Sequence, residues 1–259
     1  MADLFSLDGK HAVITGGLGL IGLELVGAML DYGARVTILD NGSSTKTPTD
    51  VELIQCDLAD AGLIPGIAAD VDASRGPVDI LINNASSRGS QGKFFASVED
   101  YDPTTWAEVM DVNLGAPFWT SCAFGSRMAL RGMGSIINTS SIYASDMGVD
   151  HRIYPAAKRH SDRMNAPASY AASKAGLVGL TRYLATYWAV SGVRVNAIAP
   201  GGVEAGQPES FRAAYSARVP MGRMAHSEDL VGAYIFLASD AASYVTGQVI
   251  YVDGGLSSW

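Results

Sequence analysis

The sequence predicts an α/β protein: a single domain over 1–259 built on a doubly wound parallel sheet of about seven strands, with helices on both faces. Three observations predict it. Short apolar runs alternate with helix-patterned segments along almost the whole chain. Those runs are continuously apolar, without the in–out alternation of a half-exposed sheet, so both of their faces must be covered. The 259 residues, 48 % hydrophobic and 17 % charged, supply a large core and leave no case for disorder.

The elements follow in order. His11 to Ile14 reads as the first strand, and Gly16 to Gly22 leads into a helix that runs to about Tyr32. Ala34 to Leu39 and Val51 to Gln55 are the second and third strands. A weaker helical pattern precedes a fourth, Val78 to Ile82. Trp106 to Arg131 reads as helix, bent or broken near Gly115 and Pro117, where a missing Cβ and a missing N–H weaken the ladder. Ser135 to Asn138 is strand, Ala168 to Val190 a long helix, Val193 to Ile198 strand, Asp229 to Ala238 helix, and Gln248 to Val252 the last strand. Two stretches are irregular, Ser141 to Pro167 and Gly201 to Ser210. Both follow strands, and in an open α/β sheet the ligand crevice lies beyond the carboxyl ends of the strands.

Composition excludes several classes. A formal net charge of −8 argues against a nucleic-acid surface, which needs clustered Lys and Arg. Met1 to Lys10 has no cationic start followed by an apolar stretch, and no apolar run reaches the ~18 residues of a membrane helix, so a cytoplasmic protein with no membrane partner is expected. Cys56 and Cys122 lie in apolar runs of different elements and are expected as free thiols. No metal site is expected.

The segment Thr15 to Gly22 sits between the first strand and the first helix. Gly16, Gly19 and Gly22 are spaced three apart, which permits a tight turn, close approach of backbone to a pyrophosphate, and close helix packing. Leu20 and Ile21 open the helix, whose N-terminal N–H groups and dipole favour an anion. Glycines also serve ordinary turns; the placement in the first β-α-β unit is what points to a Rossmann-type dinucleotide site. Asp40 ends the second strand, where a carboxylate can accept from the adenosine ribose hydroxyls and repels a 2′-phosphate. No cation lies in the loop or directly after Asp40, the nearest being Lys46. NAD is therefore expected over NADP, with a solvated loop aspartate as the plain alternative.

Tyr170 and Lys174 are four apart on the long helix and share a face. A phenol titrates near ~10 and is a poor base at neutral pH. A neighbouring ammonium stabilises the phenolate and brings it toward the working range. Such spacing is common by chance, and its meaning depends on the rest of the chain.

With those residues in view, the sequence resembles the short-chain dehydrogenase/reductase family. The likeness runs through the glycine loop, Cys56-Asp57-Leu58, Asn83-Asn84-Ala85, Asn113, Ser140-Ser141, Tyr170 with Lys174, Asn196 to Gly201, and Val252-Asp253-Gly254-Gly255. It implies a nicotinamide-dependent oxidoreductase acting on a secondary alcohol or ketone. It implies that Ser141 holds the substrate oxygen against Tyr170, that Lys174 binds the nicotinamide ribose and lowers the tyrosine pKa, and that Asn113 holds a water in a proton relay. It places Asp57 at the adenine, Leu58 beside it, and Asn83, Ala85, Pro200, Gly201 and Val203 along the cofactor channel. Taken singly, Asp57 and Asn83 read as strand-end turn residues, and Asn113 as a helix breaker. Homo-oligomers, tetramers or dimers, are common in the family, and the apolar end Gly247 to Trp259 suits an interface.

Three features depart from the family pattern. The glycine spacing is that of the extended branch, which includes NAD-retaining epimerases and dehydratases; that alternative stands beside the dehydrogenase, with a non-catalytic NAD-binding regulator as a third. Ser86 replaces the usual glycine after Ala85. Ser141 and Tyr170 are 29 positions apart, which implies an insertion at about 142–167. It carries Arg152, Lys158, Arg159 and Arg163 with His151 and His160, against Asp146, Asp150 and Asp162. These cations read either as a solvated lid or as recognition of an anionic sugar derivative. Ser141-Ile142-Tyr143, Ser169 to Gly176, and Pro200 to Val203 followed by Gln207 to Phe211 look like oxidoreductases of bacterial flagellin-glycan and surface-sugar pathways, so a small sugar-like substrate is expected.

Overall fold

The computed structural model describes residues 3–42, 51–90, 92–144, 147–154 and 165–259. Seven parallel strands form one sheet in the order β3-β2-β1-β4-β5-β6-β7. They are β1 (His11–Thr15), β2 (Arg35–Asp40), β3 (Val51–Gln55), β4 (Ile80–Asn83), β5 (Gly134–Thr139), β6 (Val193–Pro200) and β7 (Val249–Val252). The order runs outward from β1 to β3 and restarts on the other side at β4. At that reversal the loops diverge and a crevice opens at the carboxyl ends. Thr15 is level with both Leu39 and Asn83, so the loops leaving β1, β2 and β4 meet at the crevice.

The helices are α1 (Leu20–Asp31), α2 (Ile64–Arg75), α3 (Pro103–Met110), α4 (Ala116–Thr120), α5 (Ser126–Arg131), α6 (Ala168–Trp188), α7 (Glu209–Ser216) and α8 (Val231–Ala238). Successive strand residues point to opposite faces, and each face has its own core. Ile14, Ile38 and Ile82 pack under Leu25 and Met29 of α1 and Tyr234 of α8. Val13, Leu81 and Val195 pack under Val71 of α2, Phe124 and Leu184 of α6. A third cluster, of Ile142, Ile153, Tyr215, Val219, Met224 and Leu256, lies beyond the sheet.

All seven expected strands form, with ends shifted by one or two residues. The helix expected over Trp106 to Arg131 starts earlier, at Pro103, where Asp102 caps the Thr105 N–H at 2.8 Å. It is interrupted twice by π turns, at Asp111–Gly115 and Ser121–Gly125. The first falls where a bend was expected: Pro117 has no N–H to give the Asn113 carbonyl, and Ala116 N–H reaches back five residues to Asp111. The second was not anticipated, and neither was α7. Among the described residues no helix is long and apolar enough to cross a membrane. Cys56 and Cys122 are free.

Candidate active site

The glycine loop is as tight as its spacing implies. A Cβ on Gly16, which has φ +65°, would lie 2.7 Å from the Ala85 Cα, and one on Gly22 would lie 2.2 Å from the Gly16 carbonyl oxygen. Gly17, not singled out from sequence, has no room for a side chain either, since a Cβ there would lie 2.8 Å from the Ile38 side chain. No side chain caps the start of α1 at Gly19, and Leu20 and Ile21 head a first turn whose N–H groups face the crevice rim. The cradle fits a pyrophosphate: backbone donors, no Cβ in the way, and a helix dipole behind.

Thr15 ties this loop to the neighbouring strand end. Its hydroxyl accepts from Asn84 N–H at 3.0 Å and Ala85 N–H at 3.1 Å, while the Asn84 amide donates to the Gly16 carbonyl at 3.1 Å. Asp40 accepts from Leu18 N–H at 3.1 Å and Gly42 N–H at 2.9 Å. Its carboxylate is thus fixed beside the glycine loop, with acceptor capacity to spare for ribose hydroxyls. Cys56 N–H donates to the Asp40 carbonyl, which brings Asp57 and buried Leu58 alongside. Asp57 caps its own turn at Ala59 N–H. Asn83 is consumed elsewhere: its amide donates to Asn138 and Ser121 and accepts from Thr120, and Asn138 goes on to Thr181. Its side chain braces the sheet against α4 and α6 and does not face the channel. Pro200 ends β6, Gly201 has its Cα side pressed on Asp253, and Val203 bridges Ala225.

The sequence-predicted catalytic residues converge. The Tyr170 hydroxyl lies beside Ser141, at the start of the segment that follows β5, near enough for the serine hydroxyl to favour the phenolate. The Lys174 Nζ lies 5.6 Å from the centre of the Tyr170 ring and donates to the Thr139 carbonyl at 2.7 Å. Ser140 donates to the Lys174 carbonyl, which pins α6 to the end of β5. Burial brings the Lys174 ammonium down to about 8. Burial also raises the Tyr170 phenol, opposed by the Ser141 hydroxyl and by the nearby Arg88 guanidinium. Lys174 stands where expected, but desolvation outweighs the expected lowering of the phenol. Asn113 is fully buried in the first π turn. Its Oδ1 accepts from Ser87 N–H at 2.7 Å, and its Nδ2 has no partner among the described residues, a donor left over for a bound water.

Of the insertion's Arg and Lys residues, Arg152 is the one that lies among the described residues. Arg152 is 87 % exposed and closes a two-pronged pair on Asp150, which also binds Arg218 at 2.9 Å. Arg152 is thus paired at the surface, as the solvated-lid alternative has it. Lys158, Arg159, Arg163, His160, Asp146 and Asp162, like Lys46, lie outside the described residues. Arg88, which sequence reasoning passed over, is a second cation, besides Lys174, whose charge is felt at Tyr170; it sits between Ser87, tied to Asn113, and Ser90, tied to Glu108.

A tyrosine phenol beside a serine hydroxyl and a buried lysine, next to a loop shaped for a dinucleotide, defines a nicotinamide-dependent oxidoreductase of CH–OH groups. Comparison with known proteins narrows that class. The short chain dehydrogenase family model matches residues 10–166, and the model described as Enoyl-(Acyl carrier protein) reductase matches 159–257. The chain is 37 % identical to galactitol 2-dehydrogenase (L-tagatose-forming) of Cereibacter sphaeroides, over 99 % of this chain and 98 % of that one. It is 33 % identical to gluconate 5-dehydrogenase of Gluconobacter oxydans, over 98 % and 97 %. A short chain dehydrogenase from Leptospira borgpetersenii with bound NAD+ superposes with a TM-score of 0.88 at 36 % identity, covering 99 % of this chain and 96 % of that one. A gluconate 5-dehydrogenase from Burkholderia cenocepacia in complex with NADP and tartrate superposes at 0.85 and 31 %, covering 99 % and 98 %. The chain belongs to the short-chain dehydrogenase/reductase family.

Proposed function

We propose that the chain is an NAD-dependent dehydrogenase that interconverts a secondary alcohol and a ketone on a sugar-like molecule. The placement of Tyr170 beside Ser141, with the Lys174 ammonium 5.6 Å from its ring, carries the reading. Ser141 holds the substrate oxygen, and Tyr170 Oη takes its proton during oxidation and returns it during reduction. Lys174 stays at the base of α6, where its ammonium favours the phenolate form whenever the proton has left Tyr170. NAD, when bound, supplies the acceptor for the hydride. Gly16, Gly19 and Gly22 would receive its pyrophosphate, Asp40 its adenosine ribose and Lys174 its nicotinamide ribose. Asp57, Leu58, Ala85, Pro200, Gly201 and Val203 would line its length, with Asn83 contributing backbone alone.

NAD is preferred over NADP in this reading because Asp40 would face the 2′-phosphate; relatives carry either cofactor, so the preference rests on that carboxylate. Relatives named for galactitol and gluconate support a polyhydroxylated substrate, neutral or anionic. Arg88 would meet an anionic group, since Arg152 is already paired. The cytoplasm is the proposed location. The open edge of β7 and the exposed Tyr183 and Tyr187 of α6, stacked at 6.0 Å, support a homo-oligomer, dimer or tetramer.

The test follows NADH absorbance with galactitol and gluconate as neutral and anionic probes. Net NADH growth is expected, and Tyr170→Phe should abolish it, roughly a 10³-fold loss or more within the range of acid–base catalysis, while NAD affinity survives. Conversion without net NADH would instead favour the cofactor-retaining epimerase that the glycine spacing allows. Near-normal turnover by Tyr170→Phe would remove the catalytic assignment.

A further inference from the structure

The insertion brings to the site a residue that no proton or cofactor step uses. Tyr154 follows the short turn His151–Ile153, and its ring lies 5.6 Å from Phe211 on α7, tilted at 57°. Tyr143 follows Ser141 by two residues, and its N–H donates to the Ser141 hydroxyl at 3.3 Å. Both rings are half-buried against the cluster of Ile142, Ile153, Tyr215 and Leu256. Among the described residues neither hydroxyl has a hydrogen-bond partner, and neither is sealed from the surface. The third phenol of the group, Tyr215, differs, since its oxygen accepts from Gly202 N–H.

These phenols stand close to the reacting group. Tyr143 bonds the Ser141 hydroxyl through its N–H, and Tyr154 packs on the same apolar cluster as Tyr143. Burial raises both pKa values, so both keep the proton and remain neutral hydroxyls at neutral pH. A neutral phenol donates once and accepts as well, which matches an alcohol hydroxyl. The charges nearby are already spent on one another, because Asp150 holds both Arg152 and Arg218. Opposite, Phe94 sets its ring edge-on to Tyr170 at 6.4 Å, and offers no hydrogen bond. The wall of Tyr143 and Tyr154 is therefore the face that can discriminate hydroxyl groups.

We infer that Tyr154 of the insertion, together with Tyr143, hydrogen-bonds the hydroxyls flanking the reacting carbon and selects a polyhydroxylated chain over an alcohol with a single hydroxyl. The inference rests on the sugar-like reading and adds how such a chain is recognised. A site built to bond a substrate hydroxyl rejects the analogue that lacks it, because its own polar groups are left unpaired. Tyr154 is thus a specificity element, docked on α7 through Phe211.

The experiment measures NAD-linked oxidation of galactitol, D-threitol and gluconate, with cyclohexanol as the single-hydroxyl probe, in wild type and Tyr154→Phe. Phenylalanine keeps the ring against Phe211, so the thermal midpoint and NAD affinity should stay at wild-type values. On the best polyhydroxylated probe kcat/KM should fall about tenfold, equivalent to about 1.4 kcal/mol, and it should fall much less on cyclohexanol, which narrows the preference. Tyr143→Phe should act in the same direction. A fall below about twofold on that probe, or an equal fall on both kinds of alcohol, overturns the role of Tyr154 and leaves the dehydrogenase reading in place. No oxidation of any of the three polyhydroxylated probes overturns the sugar-like reading itself, and this inference with it.

Discussion

Lys174 shows how much of the site's chemistry is set by burial. Only 3 % of the residue is exposed, and its ammonium is held by the Thr139 carbonyl at 2.7 Å with the Tyr170 ring as its other near neighbour. Desolvation brings its pKa down to about 8. An unfolded lysine titrates near ~10.4. Between the two values the unfolded chain binds more protons than the folded one, so stability rises with pH across that window. Above about pH 10 the raised phenols of Tyr170 and Tyr234 act in the opposite sense, because the folded state then holds the extra protons. Between about pH 8 and about pH 9.5 Lys174 alone contributes a gain of roughly 1–2 kcal/mol to the cofactor-free protein. The thiols of Cys56 and Cys122, raised by desolvation, act in the opposite sense from about pH 8.5, so the Lys174 contribution is read as the difference between wild type and a variant. Lys174→Met keeps the length and removes the charge, and it should make the change in stability over that window less favourable by the Lys174 contribution. Urea midpoints at the two pH values read it directly; an unchanged slope in the variant would show that Lys174 does not bury its charge. The identities of Ser141, Tyr170, Lys174 and Asn113 were legible in the sequence because their order along the chain is distinctive. The direction of the Tyr170 shift was not, since it depends on how deeply tertiary packing sets the hydroxyl.

At the scale of elements, α1 contains its own control. Gly22 and Gly27 lie five apart in the same helix. A Cβ at Gly22 would collide with the glycine loop, whereas one at Gly27 would meet nothing within 4 Å. Gly27→Ala should therefore stabilise by roughly 0.5–1 kcal/mol through helix propensity alone, with NAD affinity unchanged. Gly22→Ala must push α1 off the loop, costing about 1–3 kcal/mol and weakening NAD binding. Thermal midpoints with calorimetric NAD titrations decide it, and equal behaviour of the two variants would mean that the loop does not need the close approach. The spacing of Gly16, Gly19 and Gly22 made this loop readable. The helix α7 was not readable: Pro208 precedes it, it spans only eight residues, and its apolar face is little more than the pair Phe211 and Tyr215, too short a pattern to stand out from a loop. The π turn at Ser121–Gly125 has no local mark comparable to Pro117. The network of Asn83, Asn138, Ser121 and Thr181 was hidden for a related reason, because polar residues on four separate elements satisfy one another only after the layers are stacked.

For the whole molecule, the sheet was legible because strands covered on both faces must be continuously apolar, and β1, β4 and β6 are almost entirely buried. The docking of the insertion was not, since Ile153 and Tyr154 reach α7 and Leu256 from distant parts of the chain. Cofactor binding belongs to this scale, because loops from β1, β2, β4 and β6 all meet at the crevice, so a ligand bridging them stabilises the entire fold. At a concentration about 100 times its Kd, NAD should add about 2.7 kcal/mol, which for a chain of this size raises the thermal midpoint by roughly 5–10 °C. NADP would bring its 2′-phosphate to Asp40, whose carboxylate is held in place by Leu18 and Gly42 and cannot swing away without losing both bonds. If that repulsion weakens binding about tenfold, the same concentration of NADP adds about 1.4 kcal/mol, half the shift. Asp40→Asn removes the charge and keeps an oxygen for the Leu18 N–H. It should bring the two shifts together, chiefly by raising the NADP value. The measurement is the difference between the NAD and NADP midpoint shifts in wild type and variant, which cancels any change in the stability of the free protein. An NADP shift in wild type that equals or exceeds the NAD shift would show that Asp40 does not select the cofactor.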